Sequence, residues 1–161
     1  MIFVTVGTHE QQFNRLIEKI DILKRDKLLN EDVVIQKGYS TYELEYCESH
    51  NFLEYDEMQK YIQKARIVIT HGGPASFLNV ILANKTPIVV PRKLEFDEHV
   101  NNHQVDFLMK ISDKFNLYPV YNIEDLNEVI AKFTNSNLDL RTSNNKYFND
   151  LLELEVATLF K

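Results

Sequence analysis

The sequence predicts a doubly wound α/β domain on a single parallel sheet, and three observations predict it. Short β-branched runs alternate with segments whose apolar residues recur at helical spacing. The runs are apolar at consecutive positions, as strands buried on both faces are. The chain has only four glycines, and each stands just after a predicted strand. Strands alternating with helices imply a sheet covered by helices on both sides.

"IFVTV", Ile2 to Val6, reads as the first strand. After the turn "GTHEQQ", Phe13, Leu16, Ile17, Ile20 and Leu23 mark a helix. "DVVIQKG" repeats the strand signal and ends at Gly38, and "NFLEY" is a weaker strand candidate with the helix "DEMQKYIQKA" behind it. "RIVITHGG" is the next strand, followed by a helix from Pro74 to about Asn84. "TPIVVP" is a strand between prolines. "EHVNNHQVDFLMKISDKF" then predicts one long helix with Val100, Val105, Phe107, Leu108 and Ile111 mostly inward. "YPVYN" is the last strand, with helices near 123–133 and 144–160. On the final helix, Phe148, Leu151, Leu152, Val156, Leu159 and Phe160 form an apolar stripe that needs burial, against its own sheet or a partner.

Composition narrows the function. At 161 residues, with 44% hydrophobic and 26% charged, the chain reads as a single domain spanning 1–161. A net charge of −6 argues against a nucleic-acid binder, so any phosphate contact must be local. One cysteine, Cys47, excludes an internal disulfide and fits a reducing compartment. "MIFVTVG" is too short and uncharged for a signal peptide, and no apolar run approaches the ~20 residues that span a bilayer. A cytoplasmic location is expected.

Gly7, Gly38, Gly72 and Gly73 all fall on the strand-end edge where open α/β sheets bind ligands. His9 and His71 also follow strands. In "ITHGGPASF", Pro74 suits the first helical position, which leaves the backbone N–H groups of residues 75 to 77 unpaired at the helix end. Gly72 and Gly73 permit close approach and Ser76 adds a hydroxyl, so the corner suits a diphosphate. It is neither a Walker sequence nor G-x-G-x-x-G. A tight corner whose glycines only permit packing is the alternative.

The second cluster is "VVPRKLEFDEHVNNHQ". His99, Asn102, His103 and Gln104 fall in the first turns of the expected long helix, within reach of sugar hydroxyls. A solvated polar helix start is the plain alternative. Arg92 and Lys93 are the nearest cations to a bound phosphate, or else ordinary surface charges. The spacing His99-x-x-x-His103, with Glu98 or Asp97, would permit a metal pair, but no Cys assists and the glutamate of H-E-x-x-H is missing. No metal is expected.

Three stretches in order, "MIFVTVGTHEQQFNRLI", "VITHGGPASF" and "PIVVPRKLEFDEHVNNHQVDF", resemble the small bacterial capsule and exopolysaccharide glycosyltransferases that work as two-chain enzymes. These are similar to the C-terminal half of a GT-B glycosyltransferase of family 28, a Rossmann-like fold. The resemblance runs from Met1 to about Phe107; the last third carries no such motif. It implies that Gly72, Gly73, Ala75 and Ser76, with His71 beside them, bind the diphosphate of a UDP-sugar. Gly7, Thr8 and His9 would line the cleft toward the acceptor half, and Gly38 would lie near the uracil or phosphate, with Gln36 and Lys37 beside it. Asn102, His103 and Gln104 would read sugar hydroxyls. Where many relatives place an acid that grips the ribose, this chain has Asn79.

The implied reaction is an inverting transfer of a hexose, galactose above others, to a lipid-linked sugar, with no cofactor or metal. His9 is a possible base by position, though the base is better sought on a partner. That partner would be a membrane-associated subunit that binds the lipid-linked saccharide acceptor and holds this chain at the inner membrane face. A non-catalytic scaffold subunit and an unrelated Rossmann-like nucleotide enzyme are the other readings.

Overall fold

The computed structural model describes residues 1–135. The expected final helix at 144–160 lies outside the described residues. Strands β1 (Ile2–Thr5), β2 (Val33–Gln36), β3 (Glu48–His50), β4 (Ile67–His71), β5 (Ile88–Val90) and β6 (Tyr118–Pro119) form one sheet in the order β3-β2-β1-β4-β5-β6. Every pairing is parallel. The helices are α1 (Asn14–Arg25), α2 (Tyr55–Lys64), α3 (Pro74–Leu82), α4 (His103–Ile111) and α5 (Leu126–Asn135).

Alternation along the strands sends successive side chains to opposite faces. Val4, Val6, Ile35, Ile69 and Val90 pack with Leu16, Ile17 and Ile20 of α1 and Leu126 and Ile130 of α5. On the other face, Phe3, Val34 and Val68 meet Ile62 of α2 and Val80 of α3, and Val89 meets Phe77, Leu108 and Ile111. Chain order reverses between β1 and β4, so the crevice of this fold opens between the loops that follow those strands.

Two elements differ from expectation. The edge strand is Glu48–His50, just ahead of "NFLEY", paired to β2 in the register Val34↔Glu48. It carries no buried apolar residue, so no hydrophobic pattern marks it. The long helix expected from Glu98 starts only at His103. Before it run a 3-10 turn at Leu94–Phe96 and a loop in which Asp97 takes a left-handed conformation at φ 55°. Val100, expected inward, is 69% exposed, whereas Leu108 and Ile111 are buried as expected.

Candidate functional site

The β4–α3 corner is built as its residues dictate. His71 ends β4, Gly73 caps α3 with φ −71° and ψ 127°, and Pro74 takes the first turn. The Ser76 N–H closes a turn on the Gly73 carbonyl at 3.1 Å, so it is not one of the unpaired donors expected there. Ala75 is exposed in that turn, Ser76 half-buried, and Asn79 half-buried one turn further on.

The His71 imidazole fills the space beneath this corner. A Cβ on Gly73 would lie 2.3 Å from its Nε2, and one on Gly7 would lie 2.4 Å from its Cε1. Gly7 has φ +76°, a conformation that side chains rarely adopt. Both glycines therefore pack on one histidine and draw the β1 and β4 loops together. Gly38, also left-handed at φ +54°, closes the neighbouring loop: a Cβ there would meet the Gly7 carbonyl oxygen at 2.9 Å. Gln36 donates to that same oxygen at 3.3 Å, while Lys37 sits 3.6 Å from Glu43.

Burial, then the charge of Arg92, pushes the His71 pKa from its ordinary 6.5 down to about 3. The folded value lies below the unfolded one, so the unfolded chain binds the extra proton. This stability is present in full above pH 6.5 and is lost as the pH falls toward 3. Between pH 7 and pH 5, His71 alone is expected to remove about 2 kcal/mol, measurable as a fall in the urea midpoint. Imidazole NMR signals checking the cause should show no titration of His71 above pH 5. Burial, with His9 next, also lowers the His99 pKa and adds in the same direction.

Arg92 corrects an expectation. It is not an ordinary surface charge, because its side chain is 0% exposed. Nη1 donates to the carbonyls of Gln11, Gln12 and Glu98, and Nη2 to that of Val6. Glu98, weighed above as a metal ligand, is also 0% exposed and grips Arg15 through both oxygens at 2.8 Å. It also accepts the Lys93 N–H at 3.0 Å. Arg15 and Glu98 stand 83 residues apart and carry no local signal, so the sequence reading missed their pairing.

Gln104 joins the two loops. Its Oε1 accepts the N–H of Gly72 at 3.1 Å and that of Arg92 at 3.0 Å. Only an oxygen can accept both, so the amide orientation is fixed, and among the described residues Nε2 stays an unshared donor that is not buried. Asn102 precedes α4 as its cap residue and accepts the Leu94 N–H at 2.9 Å; both it and His103 are exposed. His99 is not on the helix. Its ring stacks on His9 with centroids 4.7 Å apart, and His9 also bonds Gln11. Thr8 is exposed beside it. The structure thus brings Gly7, His9, His71, Gly72, Gly73, His99 and Gln104 to one strand-end edge. A groove of about 440 Å³, lined among others by Gln12, Arg15, Lys19 and Phe96, lies to the side of it, on α1.

The profile of the glycosyltransferase family 28 C-terminal domain matches residues 1–154. The chain belongs to that family. It is also 26% identical over 157 residues to the UDP-N-acetylglucosamine transferase subunit ALG13 of Candida albicans, covering 93% of this chain and 52% of that protein. Among solved structures, the glycosyltransferase of kitacinnamycin superposes with a TM-score of 0.62 at 14% identity, over 84% of this chain and 35% of that one. The calicheamicin glycosyltransferase CalG4 gives 0.51 at 12% identity, over 81% and 34%. At such identities the likeness speaks for fold: the family 28 chain has the Rossmann-like architecture of the C-terminal half of a GT-B glycosyltransferase. It spans about half the length of the curated relative and about a third of the two structures.

Proposed function

We propose that this chain is the donor-binding subunit of an inverting, metal-independent UDP-sugar glycosyltransferase. In this reading it transfers a hexose, galactose above others on the resemblance of its three motifs, to a lipid-linked sugar in capsule or exopolysaccharide synthesis. The observation that carries the reading is the Gly72–Ser76 corner at the N-terminus of α3, set at the strand-end edge and tied through Gln104 to the loop after β5. A helix start offers partial positive charge to a diphosphate, and the developing charge on departing UDP is what catalysis must stabilise there. An acceptor hydroxyl, deprotonated by a base, attacks the anomeric carbon as UDP leaves. His9 lies at the same strand-end edge, stacked on His99, and in this reading a partner chain is the better source of the base.

Family membership and the named role of the Candida relative as a transferase subunit support a partner. So do the exposed Leu94, Phe96 and Val100 on the loop beside the site. Among the described residues no helix is long and apolar enough to cross a membrane. In our reading the partner is membrane-associated, holds the lipid-linked acceptor, and keeps this chain at the cytoplasmic face.

Calorimetric titration in excess EDTA tests the reading, with UDP against NAD. Binding of UDP and not NAD is expected; no UDP binding would favour a scaffold subunit, and NAD binding an unrelated Rossmann-like enzyme. Gln104→Glu tests the sugar contact, since a carboxylate oxygen still accepts the Gly72 and Arg92 N–H groups while the outward donor is lost. UDP-galactose should lose about tenfold more affinity than UDP. Equal losses for both ligands would remove Gln104 from sugar recognition.

A further inference from the structure

The fork of Arg92 gathers carbonyls from three places: Val6 just after β1 (2.8 Å), Gln11 and Gln12 in the loop before α1 (2.9 and 3.0 Å), and Glu98 in the loop before α4 (3.1 Å). The Phe13 ring closes one side, 4.8 Å from the guanidinium carbon. The Arg92 backbone N–H bonds Gln104, which also holds Gly72. One residue therefore ties together the loop of Gly7 and His9, the loop of His99 and the glycine corner.

We propose that Arg92 is a positioning residue for the candidate site: it locks the β1–α1 loop against the β5–α4 loop, and its guanidinium does not touch the diphosphate. The diphosphate part of this statement rests on the function proposed above; the locking does not.

The chemistry favours a lock over a ligand. Carbonyls hold Nη1 and Nη2, Nε is buried without a partner among the described residues, and the nearby carboxylate of Glu98 is turned to Arg15 and to the Lys93 N–H. In a trans peptide the C=O and the next N–H point opposite ways, so holding the Val6 carbonyl fixes the Gly7 N–H, which reaches Thr5 Oγ1 at 3.3 Å. A lysine carries a point charge with three donors and cannot span four carbonyls in three segments. The buried charge also bears on the histidines beside it, since Arg92 contributes to lowering both His71 and His99.

The unaltered protein gives the first test, by NMR of arginine side chains. The Arg92 Nη signals should exchange slowly with water and stay in place at saturating UDP while the corner amides move. An Arg92 signal that shifts as far as those amides would overturn the proposal. Arg92→Lys and Arg92→Met give the second. Both should abolish the mutual ring-current shifts of His9 and His99 and weaken UDP about tenfold alike, whereas Lys retaining full UDP affinity would mean a direct charge contact and sink the lock. If UDP binds none of the proteins, the functional reading fails and the histidine signals still decide the lock. If neither variant folds, the first measurement decides it.

Discussion

Gly73→Asp should abolish detectable UDP binding. Two effects act together. The new Cβ would lie 2.3 Å from Nε2 of His71, a buried ring that Gly7 also packs against at Cε1, so the corner must open to admit it. The carboxylate would then sit where a diphosphate is to be held: at an effective dielectric of 20, like charges about 4 Å apart repel by about 4 kcal/mol, roughly a thousandfold in affinity. Helix capping pulls the other way, because Asp is among the best N-cap residues and Gly73 already has the extended φ and ψ of a cap. The steric cost falls on a corner that only turns the chain as well, so the charge is the part of the effect that reports on the diphosphate. Gly73→Ala separates the causes: it keeps the steric cost and removes the charge, and should fall between wild type and Asp.

Glu98→Ala should cost about 3–5 kcal/mol of stability. It leaves the Arg15 guanidinium, 12% exposed, without its carboxylate and the Lys93 N–H without its acceptor. The expected drop in Tm is about 10 °C. Glu124→Ala, which breaks the pair with Lys19, is the contrast: Glu124 is 71% exposed, so that loss should stay below about 1 kcal/mol. Thermal melts of the two variants decide it. Equal small losses would mean that the Arg15–Glu98 pair does not hold the β5–α4 loop.

Much of this architecture was legible because it follows from pattern. Consecutive apolar residues in β1, β2, β4 and β5 and the helical spacing of Leu16, Ile17 and Ile20 each have one physical solution, burial on a two-faced sheet. Glycines just after β1, β2 and β4 pointed to the edge where Gly7, Gly38, Gly72 and Gly73 now lie. What stayed hidden depends on partners distant in sequence. β3 exists because β2 offers it hydrogen bonds, and its exposed residues carry no hydrophobic signal. The expected helix from Glu98 fails because Glu98 turns inward to Arg15 and Asn102 bonds back to Leu94, which fixes a loop where local propensity allowed a helix. Arg92 read as a cation for a bound phosphate, or else a surface charge, because its acceptors are backbone carbonyls as far as 86 residues away, and a carbonyl has no side-chain signature.

The central claim is that the strand-end corner binds a nucleoside diphosphate, and amide NMR of the isotope-labelled chain during titration with UDP tests it most directly. The account predicts the largest shifts at Gly7, Gly72, Gly73, Ala75 and Ser76 and at the Gln104 side-chain amide. Shifts centred instead on Gln12, Arg15 and Lys19 in the α1 groove, with the corner unmoved, would contradict it.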